Sequence, residues 1–390
     1  MKIGVDATTW QNTRGYGRFA RALLSSLVRL DEGNQYTFFI DSNEAVSAIP
    51  PQVKIQMVRA SKPTAVSASS GGARSVSDIL RMSKALSAPG FDVLLFPTVY
   101  SYVPVISRAK KIVMIYDVIA EKYPDLTTPS RRGRAFWKVK VALGRRQADA
   151  IVTISGYSRD GIAEFFLIPP ERIYVVNGAS DPIFQVIDQP EWTPHLVSLG
   201  IPTSGCLITY VGGFGPHKNL SVLVAVFAKL AVSKEYSDAR LVMVGEFQQE
   251  VFHSEIGEIR RQIKELGVGD LVTFTGYLPD EELVILLNRS TVLTLPSLIE
   301  GLGLPALEAA ACGCPVVATA ESPLPEMLGD GGIYINPNKA NELEEAIKRV
   351  LDSNEQRSKM REAGIAATGA LSWDEAARQM MSIMGEVVSG

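Results

Sequence analysis

Cysteine is scarce: Cys206, Cys312 and Cys314 are the only three in 390 residues. Three cysteines make a poor disulfide framework, and Cys312-x-Cys314 has no further Cys or His nearby to complete a zinc site. All three are expected to be reduced and mostly buried, as in a cytoplasmic protein. No apolar run reaches the roughly 18 residues of a membrane-spanning helix. The opening, MKIGVDATTW, leads straight into a strand pattern without the apolar core of a signal peptide, so a cytoplasmic location is expected. Positive charge is not in excess either. The 39 Lys and Arg stand against 42 Asp and Glu, a net charge of −3, which gives a nucleic-acid partner no support. What remains is ordinary globular material, 46% hydrophobic and 21% charged. Its length favours two domains of about 190 residues, each with its own core.

The stretch that organises the chain is PSLIEGLGLPALEAAACGCP, Pro296 to Pro315. The apolar run Thr291 to Leu295 before it reads as a buried strand. Gly301 and Gly303 follow, and each lets backbone approach a ligand closely. Pro305 suits a first helical turn, Ala306 to Ala311 are strong helix formers, and Gly313 and Pro315 end the run. A strand, a glycine turn and a helix N-terminus together make a site for phosphate, because unpaired N–H groups point at the anion. Glu300 stands at the mouth of the turn and Glu308 within the first helical turns. Carboxylates beside an anion site need another partner, such as sugar hydroxyls.

Glu300-Gly-Leu-Gly-Leu-Pro-Ala-Leu-Glu308 resembles the Glu-x7-Glu motif of the retaining glycosyltransferases of family four. The spacing alone is common, but the glycines, the proline and the AAACGCPVVA continuation make the likeness specific. The resemblance covers the whole chain and implies an α/β protein of the GT-B fold. In that fold two Rossmann-like domains face a cleft, and the C-terminal helix crosses back to the first. It implies an acceptor-binding domain over 1–188, a nucleotide-sugar-binding domain over 189–371, and a last helix over 372–390. In the family the first Glu lies against the donor sugar, the amides of Gly301, Leu302, Gly303 and Leu304 meet the diphosphate, and the second Glu holds the ribose.

In the first half, Lys2 to Ala7 reads as a strand and Tyr16 to Leu30 as a helix. Between them, Gly15-Tyr-Gly17-Arg-Phe-Ala20 fits a dinucleotide fingerprint, and Asp41 follows the next strand where a ribose-binding acid sits. An NAD-dependent oxidoreductase is therefore the competing reading. Against it, seven residues separate Ala7 from Gly15, whereas the fingerprint turn leaves its strand at once. The family carries a Gly-x-Gly-Arg loop here that nears the diphosphate. Ser61 to Ser77 is rich in Ser, Gly and Ala and is expected to be a mobile surface loop. Asp117 follows a strand at its carboxyl end, where the family has His-Asp and this chain has Tyr116-Asp117. Tyr has a pKa near 10 and cannot carry protons as imidazole does near neutral pH. Arg131 to Arg146 interleaves basic residues with Phe136, Trp137, Val139 and Leu143. That pattern fits either an anionic membrane surface, which the resemblance favours, or a solvated helix with its aromatics in the core. Val186 to Pro202, with Pro190, Pro194 and Pro202, reads as the interdomain linker.

In the second half, the strand Cys206 to Val211 leads into Gly212-Gly-Phe-Gly-Pro-His-Lys218-Asn219 and a helix. Lys218 can neutralise charge on a leaving diphosphate. Many family members place Arg where Gly213 stands, and others have Arg at the position of His217, so one diphosphate contact is expected to be either missing or supplied by His217. Tyr277 and Leu278 match the segment against which the family's nucleotide base lies. The tail from Asn341 to Thr368 is helical, and Ser372 caps a last helix.

The implied reaction is retaining transfer of a hexose from a nucleoside-diphosphate sugar to a polysaccharide or lipid-linked oligosaccharide. UDP-glucose ranks first and GDP-mannose second, the latter because Lys218-Asn219 resembles mannosyl-transferring members. Glu300, Lys218 and Asp117 are the expected catalytic residues. Asp-x-Asp is absent, so neither a metal nor another cofactor is expected. Peripheral association with the inner face of a membrane is a further expectation. Altered Tyr116 and Gly213 keep a third reading open, a catalytically impaired nucleotide-sugar-binding protein.

Overall fold

The computed structural model describes residues 1–67, 75–128, 130–247 and 254–390. It divides into two compact units, Met1–Gly178 with Ser372–Gly390, and Ala179–Leu371. The first holds a parallel sheet of β1 (Lys2–Asp6), β2 (Gln35–Ile40), β3 (Lys54–Met57), β4 (Val93–Phe96), β5 (Lys110–Met114), β6 (Ala150–Thr153) and β7 (Ile173–Val175). Their spatial order is β3-β2-β1-β4-β5-β6-β7. The central strand β4 is short and wholly apolar; Val93-Leu-Leu-Phe96 is buried at every position because helices cover both faces.

The helix Gly15–Leu30 buries Tyr16, Phe19, Leu23 and Leu27, a stripe at three- and four-residue spacing. The last helix, Trp373–Ser389, belongs to this unit and packs against it, with Trp373 edge-on to Phe19 at 5.0 Å between centroids. Its start is set by Ser372, whose hydroxyl accepts from the Glu375 amide. No helix among the described residues is long and apolar enough to cross a membrane.

The second unit repeats the plan with β8 (Leu207–Val211), β9 (Arg240–Val244), β10 (Val272–Gly276), β11 (Val292–Leu295), β12 (Val316–Thr319) and β13 (Gly332–Ile335). Their order is β10-β9-β8-β11-β12-β13, all parallel. The direction of winding reverses between β8 and β11. A crevice therefore opens at the carboxyl ends of those two strands, the usual ligand position of open α/β sheets.

Two expectations about connections meet a different structure. The proline-rich stretch read as a linker is packed on the second unit, whose boundary falls at Gly178/Ala179. The Ile187 amide donates to Asn288, Arg289 donates to the Pro190 carbonyl at 2.8 Å, and Thr193 donates to Glu282. The Ser61–Ser77 stretch is tethered at its ends. The Thr64 amide and hydroxyl both donate to Asp41, and the Ser61 amide donates to buried Asp78. Its middle, 68–74, lies outside the described residues.

Candidate functional site

In the second unit, glycines stand where β8, β9 and β10 end. The Gly212 amide donates to Val244 and the Gly245 amide to Gly276, which draws the strand ends together. A Cβ on Gly245 would lie 1.9 Å from the Gly212 carbonyl oxygen, so only glycine fits this backbone, whose φ is +159°. Gly213 faces open space. The chain then makes a single turn over Pro216–Lys218 and passes through Asn219 with a φ of 57°. Asn tolerates that left-handed conformation. Its side chain also donates to the Pro296 and Pro337 carbonyls, beyond β11 and β13. The Leu298 amide donates to the His217 carbonyl at 2.8 Å. The loop after β8 is thereby pinned to the loop after β11.

That pinning brings two distant residues together. Lys218 Nζ stands 2.7 Å from Glu300 Oε1, and Ser297 donates to the same oxygen at 2.7 Å. Glu300 is buried, which alone would raise its pKa. The ammonium and the hydroxyl outweigh burial and hold it below the usual carboxylate range, so it is ionised at neutral pH. His217 is lowered to about 4, first by burial and then by Lys218, so its ring is neutral. Its Nδ1 is buried without a hydrogen-bond partner. The neighbour of Lys218 thus offers a polar atom but no second positive charge.

Gly303, with a φ of 80°, caps the helix Leu304–Ala311, and Pro305 lies in its first turn. A Cβ there would meet Leu324 at 2.9 Å. Leu302, Leu304 and Glu308 are buried, and Gly301 lies between Glu300 and the helix. Leu278 is buried while Tyr277 is half exposed just past β10. Three strand spacings, roughly 14 Å, separate β10 from β11. The sheet edge therefore offers an elongated row: Tyr277, the strand-end glycines, the helix N-terminus, and the Lys218–Glu300 pair. The parts played by Asn219 and Ser297 go unremarked in the sequence, where only a left-handed position after the lysine could have hinted at the first.

The remaining candidates form a cluster within the first unit. A Cβ on Gly17 would lie 2.1 Å from the Asn12 carbonyl oxygen, whereas Gly15 faces open space. Gly17 therefore serves close packing of the loop after β1. The Tyr116 hydroxyl donates to the Tyr16 carbonyl at 3.2 Å, and its ring packs on Phe19. Burial, with Tyr16 beside it, keeps that hydroxyl protonated well above the usual range. Asp117 accepts from the Ile119 amide at 2.9 Å. The dinucleotide alternative is not favoured, because the Asp41 carboxylate is engaged by Thr64 and the turn from β1 is long. Among the described residues no three His, Cys, Asp or Glu side chains converge as a metal-binding group.

Nearby, Trp137 Nε1 donates to Glu121 Oε1 at 2.7 Å, and Glu121 Oε2 is buried without a partner. Burial raises the Glu121 pKa from 4.5 to about 7, the Trp137 hydrogen bond opposes this and Asp117 adds to it. A raised folded-state value favours the protonated form, so its stabilising effect is complete below about pH 4.5 and lost as pH rises through about 7. Urea unfolding is expected to show about 3 kcal/mol less stability from this group at about pH 7.5 than at about pH 4.5. Glu121→Gln should remove that part of the slope.

Residues 195–367, most of the second unit, match the family model described as glycosyl transferases group 1. The chain is 28% identical over 236 residues to O-antigen chain mannosyltransferase B of Escherichia coli, covering 60% of each protein. It is 30% identical over 253 residues to the MMP alpha-(1->4)-mannosyltransferase of Mycolicibacterium hassiacum, covering 63% of this chain and 56% of that one. The matches thus span less than two thirds of these relatives. Sucrose-phosphate synthase from Thermosynechococcus elongatus superposes over 100% of this chain and 99% of its own, with a TM-score of 0.76 at 19% identity. The fold is that of the GT-B proteins.

Proposed function

We propose that this chain is a glycosyltransferase that moves a hexose from a nucleoside-diphosphate sugar to a carbohydrate acceptor, retaining anomeric configuration and using no metal. The observation that carries this reading is the Lys218–Glu300 pair at the switch point of the second sheet, beside the N-terminus of Leu304–Ala311. A diphosphate on that helix end meets unpaired amides and the positive end of the dipole. Lys218 then shares its charge between Glu300 and the leaving phosphate, where negative charge grows as the glycosidic bond breaks. Glu300, ionised and fixed by Ser297, accepts from hydroxyls of the donor sugar. Neutral His217 supplies a hydrogen bond through Nδ1.

The row from Glu300 to Tyr277 accommodates the length of a nucleoside diphosphate sugar, with Glu308 on the ribose and the base beside Tyr277 and Leu278. Retention follows if a leaving-phosphate oxygen takes the acceptor proton while the acceptor oxygen attacks the same face. Lys218 and the helix end supply the positive charge that a metal would otherwise provide. That two of the relatives are mannosyltransferases, one of them acting on an O-antigen chain, supports a mannosyl donor as the first to test and a polysaccharide as acceptor.

The test is incubation with each nucleotide sugar in the presence of a chelator, following nucleotide release and the anomeric proton of the product. Release with retained configuration is expected. Inverted product, or activity that disappears with chelation, would contradict the mechanism. Binding without release would favour the impaired reading.

A further inference from the structure

Tyr210 is wholly buried near the end of β8, and a buried phenol needs an acceptor for its hydroxyl. It finds one three residues on, at the Gly213 carbonyl. The ring reaches that carbonyl past Gly212. A Cβ on Gly212 would lie 2.6 Å from the Tyr210 hydroxyl oxygen, so the contact needs glycine there. Edge-on packing against Phe214, with ring centroids 6.1 Å apart, holds the phenol in place.

The loop of residues 213–215 divides its backbone groups by type. Every carbonyl is taken by the protein: Gly213 accepts from Tyr210, Phe214 from the Glu255 amide at 2.8 Å, and Gly215 from the Lys218 amide at 2.9 Å. None of the three amides donates to an acceptor among the described residues. Successive amides left over in this way present partial positive charge without a charged side chain, which suits an anion. The loop runs from the switch-point end of β8 to the turn that carries Lys218.

Tyr210 governs the first peptide of the loop. The bond between Gly213 and Phe214 is trans, so its carbonyl and its N–H point in opposite directions. With the carbonyl held toward the buried phenol, the Phe214 N–H points away from the core, and Gly213 beside it is exposed. Gly212 and Gly213 have no side chains to resist rotation of this segment. Without the phenol, the reversed orientation is open to the peptide, and an outward carbonyl dipole repels phosphate oxygens.

We propose that Tyr210 is a positioning residue whose hydroxyl keeps the Gly213–Phe214 peptide turned so that the Phe214 amide donates to the diphosphate of the nucleotide sugar. The backbone thereby makes a contact that Gly213, having no side chain, cannot make. The inference rests on the reading of this crevice as a nucleoside-diphosphate site.

Tyr210→Phe removes one oxygen and keeps the ring. UDP, GDP and ADP, each beside its parent nucleoside, are titrated into wild type and variant and followed by NMR with label in the phenylalanine amide nitrogens, which reaches millimolar affinities. For the diphosphate that the wild type binds, affinity should fall about tenfold in the variant, the share of one hydrogen bond to a charged group. The parent nucleoside, which carries no phosphate, should bind both proteins alike. Tyr236→Phe is the matched control. It removes a hydroxyl from another buried tyrosine of the second unit, one that donates to Asp352, and should leave both affinities unchanged. In the wild type itself the Phe214 amide, assigned by its loss in Phe214→Leu, should move downfield with the diphosphate and not with the nucleoside. That readout needs no folded Tyr210 variant. Undiminished diphosphate affinity in Tyr210→Phe, equal loss of nucleoside affinity, or a Phe214 amide that the diphosphate does not move would overturn the inference and leave the site intact. A wild type that binds none of the three diphosphates would overturn the reading of the crevice and the inference with it.

Discussion

Lys218→Met is expected to slow sugar transfer by about 100- to 1,000-fold, the usual cost of removing one preorganised group that meets charge developing in the transition state. Donor affinity should fall less than the rate, because much of that charge appears only as the diphosphate leaves. Stability should change too, and with a distinctive pH dependence. In the wild type, Lys218 and Ser297 overcome burial and depress the Glu300 pKa. Such a group stabilises the fold above its unfolded pKa, and the effect is lost as pH falls through the folded value. Without Lys218, burial dominates and the sign inverts, so the variant should be weakest at neutral pH and recover on acidification. The loss at neutral pH is expected to be about 2 kcal/mol, below the roughly 3–5 kcal/mol of a fully buried broken pair, because Lys218 keeps some contact with solvent. Adding Glu300→Gln should restore much of the stability without restoring transfer. Urea unfolding across pH together with single-turnover rates on the three variants would establish this.

Gly245→Ala is expected to be the most damaging small substitution in the second unit. The new methyl group would meet backbone, the Gly212 carbonyl at 1.9 Å, in a conformation that side chains rarely adopt. Neither strand end can retreat without breaking the Gly212–Val244 and Gly245–Gly276 hydrogen bonds. A cost of about 3 kcal/mol or more follows, seen as a fall of roughly 6–12 °C in Tm for a unit of this size. Gly212 opens the loop that carries Lys218, so surviving protein should also bind donor poorly. Gly213→Ala is the control. It faces open space at a negative φ and should melt within about 1 °C of wild type.

The second unit is largely legible in its sequence, because β8, β9 and β10 end at glycine and β11 and β12 are short apolar runs. Thr291 to Leu295 and the helix after Gly303 fall where their pattern places them. The Lys218–Glu300 contact is not legible, since it depends on winding that sets β8 beside β11 across many intervening residues. Nor is the neutrality of His217, which comes from burial by the folded loops. Proline misleads at Pro190 and Pro194. The Pro190 carbonyl is held by Arg289, and Pro194 opens a short helix, Pro194–Ser198. In the first unit, the helix Arg131–Gln147 carries two apolar stripes. Its sequence alone does not say that Trp137 turns inward and Phe136 outward.

The most direct measurement is thermal unfolding with UDP-, GDP- and ADP-sugars and with NAD, on wild type and Glu308→Ala. A ligand at a hundred times its dissociation constant adds about 2.7 kcal/mol, well above the resolution of a melt. A shift with one nucleotide-sugar class that is lost in Glu308→Ala is the predicted result, and it would identify the donor. A shift with NAD, and none with any nucleotide sugar, would contradict the account and move the site to the glycine loop after β1.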